Sequence, residues 1–253
     1  MFKEAIVRRP CKAMTKGITQ AGLGIPDYKL ALQQHDQYIR ALETCGLTIT
    51  LVEADENFPD SVFIEDTAVL TRKFAIVTNP GPSSRKEEIV GVIPTLKAKF
   101  RTIEYIAAPG TLEGGDVMLA GNTFFVGKSD RTNSDGIRQF QKIVSKHGYQ
   151  MVSVDMPQIL HLKTGLSYLE NNQILLTEDY TASTALNHFD KIITDSSEAY
   201  AANSLWVNEK VLVPAGFPST RKKIEKAGYE TLEVDVSEFR KLDGGLSCLS
   251  LRF

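Results

Sequence analysis

Apolar residues recur along the chain at two spacings, one typical of helices and one typical of strands. The segment IRQFQKIVSKHG has apolar residues at 137, 140, 143 and 144, a helical spacing, and Gly148 stands where a helix C-cap is expected. Short apolar runs of strand length, such as FAIVT and QILLT, lie between turn residues. The pattern predicts an α/β protein.

The same order of elements, strand, strand, helix, strand, recurs along the chain. Five stretches show it, at residues 27–55, 68–106, 122–155, 166–195 and 208–235. An ordinary layered α/β domain and a closed ring of five modules are both compatible with this repeat. In the ring, the terminal segments EAIVRR and CLSLRF pair with each other and remove the open edge. Because no linker or low-complexity stretch interrupts the chain, we expect residues 1–253 to form one domain.

Composition narrows the class of protein. The chain has 253 residues, 42% of them hydrophobic, and a net charge of -2, so no basic excess points to nucleic acid or an anionic membrane. No apolar run approaches the roughly 18 residues of a transmembrane helix, and the N-terminus lacks an apolar signal core. The three cysteines, Cys11, Cys45 and Cys248, include no CxxC pair, which disfavours structural zinc and suggests a reducing, cytoplasmic setting.

Cys248 and His161 are the candidates for nucleophilic chemistry. Cys248 lies in DGGLSCLSLRF, after two glycines that would let the backbone bring its thiol close to a ligand. His161 lies between apolar residues at the entry to a predicted strand. A Cys and a His far apart in sequence can form a nucleophile and its acid/base partner. A buried structural cysteine and a core histidine remain the alternatives.

Acidic residues next to apolar strands add to this case. They occur in FPDSVFIEDTAVL, as Asp60, Glu65 and Asp66, and in TLEGGDVML, as Glu113 and Asp116. Each could be a solvated turn acid or the partner of an arginine. Together they suggest a negative pocket for a guanidinium group, whose N–H donors need more than one carboxylate. Their spacing matches no common zinc or calcium loop.

Three arginines follow turns at corresponding places in the repeats: Arg85, Arg131 and Arg221. All three could be surface charges. Alternatively, the first two could bind a substrate carboxylate through bidentate hydrogen bonds. No GxGxxG or P-loop pattern occurs in the chain.

The sequence resembles the dimethylarginine dimethylaminohydrolases of the guanidino-modifying, or pentein, superfamily. The likeness runs nearly end to end, through FPDSVFIEDTAVL, APGTLEGGDVML, GKSDRTN, LHLKTGLSYLE, YAANSLWVNEKVLVPAG and KLDGGLSCLSLRF. It implies a five-bladed α/β propeller of ββαβ modules with pseudo-fivefold symmetry around a central site.

The resemblance also implies roles for individual residues. Cys248 matches the nucleophile, His161 the proton donor, and Glu113 and Asp66 the acids that hold the guanidinium. The remaining matches are substrate contacts: Asp60 and the Glu65–Asp66 pair, Arg85 and Arg131 on the α-carboxylate, a backbone contact at Ile18, and an aliphatic wall at Leu242.

The implied reaction is hydrolysis of Nω-methylated arginines to citrulline plus dimethylamine or methylamine, through a covalent thiouronium on the cysteine. No metal or organic cofactor is required. The expected partner is a small arginine derivative, with no nucleic acid or membrane partner, and a homodimer is left open. An arginine deiminase, an amidinotransferase and a non-catalytic propeller that only binds are the rivals. Asp243, beside Leu242, could supply the acceptor that an unmethylated guanidinium needs.

Overall fold

The computed structural model describes residues 1–253 and contains fifteen strands in five three-stranded sheets. In chain order the strands are β1 (Glu4–Arg8), β2 (Thr48–Val52), β3 (Ala68–Leu70), β4 (Ala75–Val77), β5 (Ile103–Tyr105), β6 (Val117–Ala120), β7 (Thr123–Gly127), β8 (Gln150–Val154), β9 (Leu166–Tyr168), β10 (Gln173–Leu176), β11 (Asp190–Ile193), β12 (Leu205–Val207), β13 (Lys210–Pro214), β14 (Glu230–Val234) and β15 (Leu251–Arg252).

Six α-helices connect or flank these strands. They are α1 (Tyr28–Thr44), α2 (Ile93–Lys99), α3 (Ser134–Lys146), α4 (Leu162–Gly165), α5 (Pro218–Lys226) and α6 (Ser237–Arg240). Side-chain caps fix the start of two of the longer helices: Asp27 accepts the N–H groups of the first turn of α1, and Asn133 does the same for α3. None of the helices combines the length and apolar character that crossing a membrane requires.

Every sheet repeats one topology, and each sheet is called a module here. Modules 1 to 4 are β3–β4–β5, β6–β7–β8, β9–β10–β11 and β12–β13–β14, and module 5 is β15–β1–β2. The first strand pairs antiparallel with the second, and the second pairs parallel with the third, as in module 2. The parallel pair needs a crossover, which is α-helical in modules 1, 2, 4 and 5. In module 3 two 3₁₀ turns replace the helix.

The two ends of the chain complete module 5. Strands β1 and β15 pair antiparallel with Ile6 opposite Leu251, as the terminal segments predict. The pairing removes the edge that β1 would otherwise expose, and it joins the first and last strands of the chain into one sheet. The predicted five-module α/β propeller is therefore confirmed, and its ring is closed by the termini.

The hydrophobic core is divided among the interfaces between neighbouring modules. Five clusters of buried side chains occur, and each contains residues from two adjacent modules. The cluster between modules 1 and 2 shows the pattern, because Phe74 and Ile76 of β4 and its preceding turn meet Phe124 of β7 and Phe140 of α3. The ring therefore has a core at every joint rather than one core at its centre.

The centre of the ring is instead lined by the first strand of each module. Residues of β3, β6, β9, β12 and β15 surround a cavity of about 450 Å³ at one end of the propeller axis. The segments that lead into these five strands lie around the same axis. Side chains carried just ahead of the first strands can therefore converge, although they are far apart in sequence.

Replacing Ile6 with Ala tests the importance of closure. Ile6 is fully buried in the cluster between modules 5 and 1, so Ile6→Ala is expected to lower the free energy of unfolding by about 2–5 kcal/mol. Ile25→Ala is the matched control, because Ile25 is 77% exposed and its truncation should change stability by less than about 0.5 kcal/mol. Chemical denaturation measures both variants, and equal effects would contradict the closed-ring account.

Candidate active site

Four of the predicted site residues occupy equivalent places in the five-module ring. Asp66, Glu113, His161 and Cys248 lie just ahead of the first strands β3, β6, β9 and β15, and Asn203 takes this place ahead of β12. Each module therefore supplies one polar or nucleophilic side chain. The convergence follows from the topology, because the first strands all surround the propeller axis.

Most of the predicted site residues line a small cavity of about 30 Å³. Its lining includes eight of them: Ile18, Asp60, Asp66, Arg85, Arg131, His161, Leu242 and Cys248. Phe63, Leu160, Asp243 and Gly244 complete the wall. The nucleophile and acid/base candidates thus share one enclosed space, as a Cys–His mechanism requires.

His161 is held between buried carboxylates. Its Nε2 lies 2.7 Å from Glu113 Oε2 and 3.9 Å from Asp66 Oδ1. Burial alone would lower the pKa of the imidazole, but Asp66, Glu113 and Asp116 outweigh burial and raise this pKa to about 9. His161 is therefore an imidazolium at neutral pH. This charge stabilises the fold fully below the ordinary pKa of 6.5, and the contribution is lost as pH rises through about 9.

Asp66 is the most heavily paired acid of the cavity. Its Oδ2 is 2.7 Å from Arg85 Nη1, and its Oδ1 accepts the Gly115 N–H at 3.0 Å. Burial raises the pKa of this carboxyl, but His161 and Arg85 outweigh burial and bring the pKa down to about 2. Asp66 therefore remains charged and can face a cationic ligand.

Glu113 stands behind His161 rather than on the cavity wall. It is fully buried; Oε1 accepts the Gly81 N–H at 3.0 Å and Oε2 contacts the imidazole. The sequence predicts a direct contact between Glu113 and a guanidinium. In the structure this carboxylate instead orients His161 and stabilises its charge.

Glycine is required where these segments touch. A Cβ on Gly115 would lie 2.7 Å from the His161 ring, and a Cβ on Gly245 would lie 2.5 Å from Asn203 Oδ1. Both distances are too short for real contacts. The sequence predicts that the two glycines before Cys248 bring the backbone close to a ligand. Gly244 does line the small cavity, whereas Gly245 allows the Cys248 segment to pack against Asn203.

Cys248 lies in a 3₁₀ turn, Ser247–Leu249, and its Sγ accepts the Gly245 N–H at 3.4 Å. Burial, followed by the charges of Glu65 and Asp66, raises the pKa of the thiol to about 12. In the ligand-free protein the thiol is therefore protonated at neutral pH. An added positive charge next to the sulfur would favour the thiolate.

Glu65 faces away from Cys248's cavity, unlike its neighbour Asp66. Consecutive residues of the Ile64–Thr67 turn point to opposite ends of the axis, and Glu65 lines the 450 Å³ cavity. Its carboxylate accepts hydrogen bonds from Lys163 Nζ at 2.6 Å and Ser247 Oγ at 2.8 Å. The structure therefore does not place the Glu65 side chain with the other predicted substrate-binding residues in the small cavity.

Arg85 and Arg131 both line the small cavity, but they differ in their free donors. Arg85 donates from Nε and Nη2 to Glu88, and from Nη2 also to main-chain carbonyls. With Nη1 bonded to Asp66, one Nη1 N–H remains for a ligand. Arg131 makes no side-chain hydrogen bond, and its Nη1 is 4.0 Å from Glu113 Oε1. Arg131 therefore has the freer guanidinium.

An exposed segment covers the cavity through two aspartates. Asp60 Oδ1 accepts the Ile18 N–H at 3.0 Å, and Asp243 Oδ2 accepts the Gln20 N–H at 2.6 Å. The predicted backbone contact at residue 18 thus has its N–H occupied in this closed arrangement. Leu242 is buried and forms the expected aliphatic part of the wall.

A residue outside the predicted set, Asn203, holds the segment that carries Cys248. Asn203 donates to Ser247 Oγ at 3.0 Å and accepts the Ser247 N–H at 3.0 Å, next to Cys248. The signal was present in the repeat, because Asn203 precedes β12 as Asp66 precedes β3. Aligning the five segments ahead of the first strands would have found it.

Three potential metal ligands also meet here, because oxygens of Asp66 and Glu113 lie within 4.8 Å of a His161 nitrogen. All three groups already have partners: Asp66 bonds to Arg85, and Glu113 bonds to His161. A divalent ion at this place would have to displace the imidazolium proton and lie close to the Arg85 cation. The donor set therefore suits a cationic organic group better than a metal.

Comparison with known proteins decides the family. The model of the eukaryotic N,N dimethylarginine dimethylhydrolase family matches residues 27–250. An N(G),N(G)-dimethylarginine dimethylaminohydrolase of Pseudomonas aeruginosa is 48% identical over the full length of both chains. The chain belongs to the dimethylarginine dimethylaminohydrolase (DDAH) family. A DDAH of Streptomyces coelicolor is 34% identical, with coverage of 99% of this chain and 96% of the relative.

Solved DDAH structures share the fold throughout. A Cys-to-Ser variant of the P. aeruginosa DDAH, complexed with citrulline, matches with a TM-score of 0.99 and 48% identity over all of both chains. A His-to-Gly variant of a DDAH, as an adduct with S-methyl-L-thiocitrulline, matches with a TM-score of 0.98 at 48% identity over both full chains. The N-terminal domain of ArgZ has the same fold at 19% identity, with a TM-score of 0.85 over 98% of this chain and 97% of that domain.

The protonation of the thiol in this DDAH family member can be measured directly. The ultraviolet absorbance of a thiolate, taken as the difference between the parent protein and Cys248→Ser, should be absent at neutral pH and should rise only as pH approaches about 12. Cys11 and Cys45 are present in both proteins, so they cancel. A full thiolate signal at neutral pH would contradict the assigned burial and charge environment.

Proposed function

We propose that this protein hydrolyses Nω-methylated arginines, both asymmetric dimethylarginine and monomethylarginine, to citrulline plus dimethylamine or methylamine. The observation that carries the proposal is the single cavity in which Cys248, His161 and Asp66 meet. Membership of the DDAH family supports the same reaction. The reaction is a hydrolysis of a C–N bond in a linear amidine.

Charge recognition is the first step. Asp66 and Asp60 line the cavity, and Asp66 stays ionised because the pKa of its carboxyl is brought down to about 2. A guanidinium that donates to these carboxylates would lie next to Cys248. Its positive charge offsets the effect of burial and of the nearby acids on the thiol, so substrate binding favours loss of the thiol proton to solvent and generates the thiolate.

The α-carboxylate of the substrate is assigned to the arginines. Arg131 is half-buried and its side-chain N–H groups make no hydrogen bond, and Arg85 has one free N–H on Nη1. A bidentate contact to Arg131, supplemented by Arg85, fits this division of donors. Agmatine, which lacks the carboxylate, should therefore bind weakly.

The chemistry then follows from the protonation states. The Cys248 thiolate attacks the central guanidinium carbon, and an S–C bond forms. His161 is already an imidazolium, because the pKa of its ring is about 9, so it serves as the acid that protonates the departing amine as the C–N bond breaks. The products of this half-reaction are a covalent thiouronium, neutral His161 and free dimethylamine or methylamine.

Water completes the cycle. Neutral His161 takes one proton from water as the oxygen attacks the thiouronium carbon. As the S–C bond breaks, the second proton of the water passes to the sulfur, so citrulline, the Cys248 thiol and the imidazolium form together. Glu113 stabilises the regenerated imidazolium through its 2.7 Å contact. The steps require no metal or organic cofactor, and all the groups assigned to them come from one chain, so a homodimer is not needed to complete the site.

The whole chain is proposed to act as a single catalytic unit, residues 1–253. Modules 1, 2, 3 and 5 each supply one of the four reacting or charged groups, so the site draws on four of the five modules. The three free cysteines are consistent with a reducing, cytoplasmic compartment.

A panel of substrates tests the proposal. Turnover of asymmetric dimethylarginine, monomethylarginine, arginine and agmatine is measured by citrulline formation and by release of dimethylamine, methylamine or ammonia. The methylated arginines should have the higher kcat/KM, because Leu242 leaves an apolar wall for methyl groups while Asp243 is bonded to the Gln20 N–H. Agmatine should be a poor substrate.

Two variants accompany the panel. Cys248→Ser should abolish turnover while thermal melting stays close to that of the parent, whereas Cys11→Ser, at a buried thiol outside the cavity, should keep the activity. A higher kcat/KM for arginine than for both methylated forms would make the protein a deiminase. Absence of turnover on every member of the panel would leave the amidinotransferase and binding-module alternatives.

A further inference from the structure

Asp116 is a fully buried acid ahead of β6 that enters the proposed mechanism only through its charge, which helps raise the pKa of His161. It does not line the small cavity, so it cannot contact a substrate there. Burial raises the pKa of its carboxyl, while the charge of His161 and several hydrogen bonds oppose this shift. A buried acid at such a position needs partners that make its presence favourable.

One oxygen of Asp116 is bonded to the segment that carries the acid/base residue. Oδ1 accepts the Leu162 N–H at 3.0 Å, directly after His161 and at the first residue of α4. This bond fixes the backbone where the imidazole side chain begins. The His161 N–H is separately bonded to Thr164 Oγ1, so the turn is held from both sides.

The other oxygen is bonded to the turn that carries the freer arginine. Asp116 Oδ2 accepts from Ser129 Oγ at 2.6 Å. The same hydroxyl accepts the N–H groups of Arg131 at 3.0 Å and Thr132 at 3.2 Å. Ser129 thereby uses its one donor and both acceptor sites, and its hydroxyl is held in one orientation by Asp116.

We infer that Asp116 is a positioning residue that connects the His161 segment to the Arg131 turn, so that acid/base chemistry and carboxylate recognition keep one relative geometry. This inference rests on the proposed function, because it assigns the two segments the roles given above. Asp116 acts through its bonds to Leu162 and Ser129 and through its charge on His161, and it touches neither substrate nor reacting atoms.

The two hydrogen bonds of Asp116, called here its arm to His161 (through Leu162) and its arm to Arg131 (through Ser129), predict different kinetic effects. Ser129→Ala removes only the arm to Arg131. KM for asymmetric dimethylarginine should then rise by about 3- to 10-fold, the range for loss of one net hydrogen bond, and kcat should change by less than about 2-fold. Asp116→Ala removes both arms, and it should raise KM similarly and also lower kcat by at least about 10-fold.

Asp116→Asn separates the arms with an almost isosteric side chain. Its amide oxygen can still accept the Leu162 N–H, but its NH₂ group then faces Ser129 Oγ. Three N–H donors would compete for two acceptor sites on that hydroxyl. Asp116→Asn should therefore resemble Ser129→Ala, and the double variant should raise KM no further than either single change, because both disrupt the same arm.

The experiment measures kcat and KM for the four variants and for Asp130→Asn, with thermal melting of each. Asp130 is an exposed acid of the same turn with no hydrogen bond from its side chain, so its replacement controls for loss of one negative charge and should leave both constants unchanged. The expected pattern is a KM effect alone in Ser129→Ala, a KM effect of the same size in Asp116→Asn, and effects on both constants in Asp116→Ala.

Two results would overturn the inference alone. One is an unchanged KM in Ser129→Ala in a protein whose parent turns over methylarginines; this holds even if Asp116→Ala fails to fold. The other is additive KM effects in the double variant. An inactive parent would overturn the proposed function, and the inference with it. A fall in melting temperature with unchanged kcat and KM would assign Asp116 to stability only.

Discussion

The contact between His161 and the buried carboxylates is the interaction on which the rest of the site depends. An imidazole this buried would normally be neutral, yet Glu113 at 2.7 Å and Asp66 at 3.9 Å make it a cation. The acids depend on it in turn, because burial opposes the ionisation of Asp66. Arg85 supplies the second positive charge. Unpaired, each of these groups would be costly to bury, so the cluster forms as a whole.

The fold makes that cluster possible by bringing distant segments to one axis. Each module contributes the segment ahead of its first strand, and the ring places these segments around the propeller axis. Closure by β1 and β15 is part of this arrangement, because β15 follows directly after Cys248. Cys248, the proposed nucleophile, is therefore positioned by the same strand that completes the ring.

Much of the fold could be predicted from the sequence, because periodicity and turn residues are local signals and the repeat exposes the module. The site was less predictable. Asp66 and Glu65 are neighbours with the same charge, yet one faces Cys248's cavity and the other bonds Lys163. Which side chain faces inward depends on the twist of one 3₁₀ turn, which composition does not encode. The resemblance likewise predicts that Glu113 contacts the substrate, whereas in the structure this side chain is fully buried behind His161.

In the proposed reaction Cys248 forms a covalent thiouronium while His161 protonates the departing amine. Rapid acid quench of the enzyme during turnover, followed by intact-mass and peptide analysis, tests it most directly. Asymmetric dimethylarginine and monomethylarginine should give the same adduct on the peptide that contains Cys248, because each loses its methylated nitrogen before the intermediate forms. Turnover with no adduct on that peptide, or an adduct that retains methyl groups, would contradict the account.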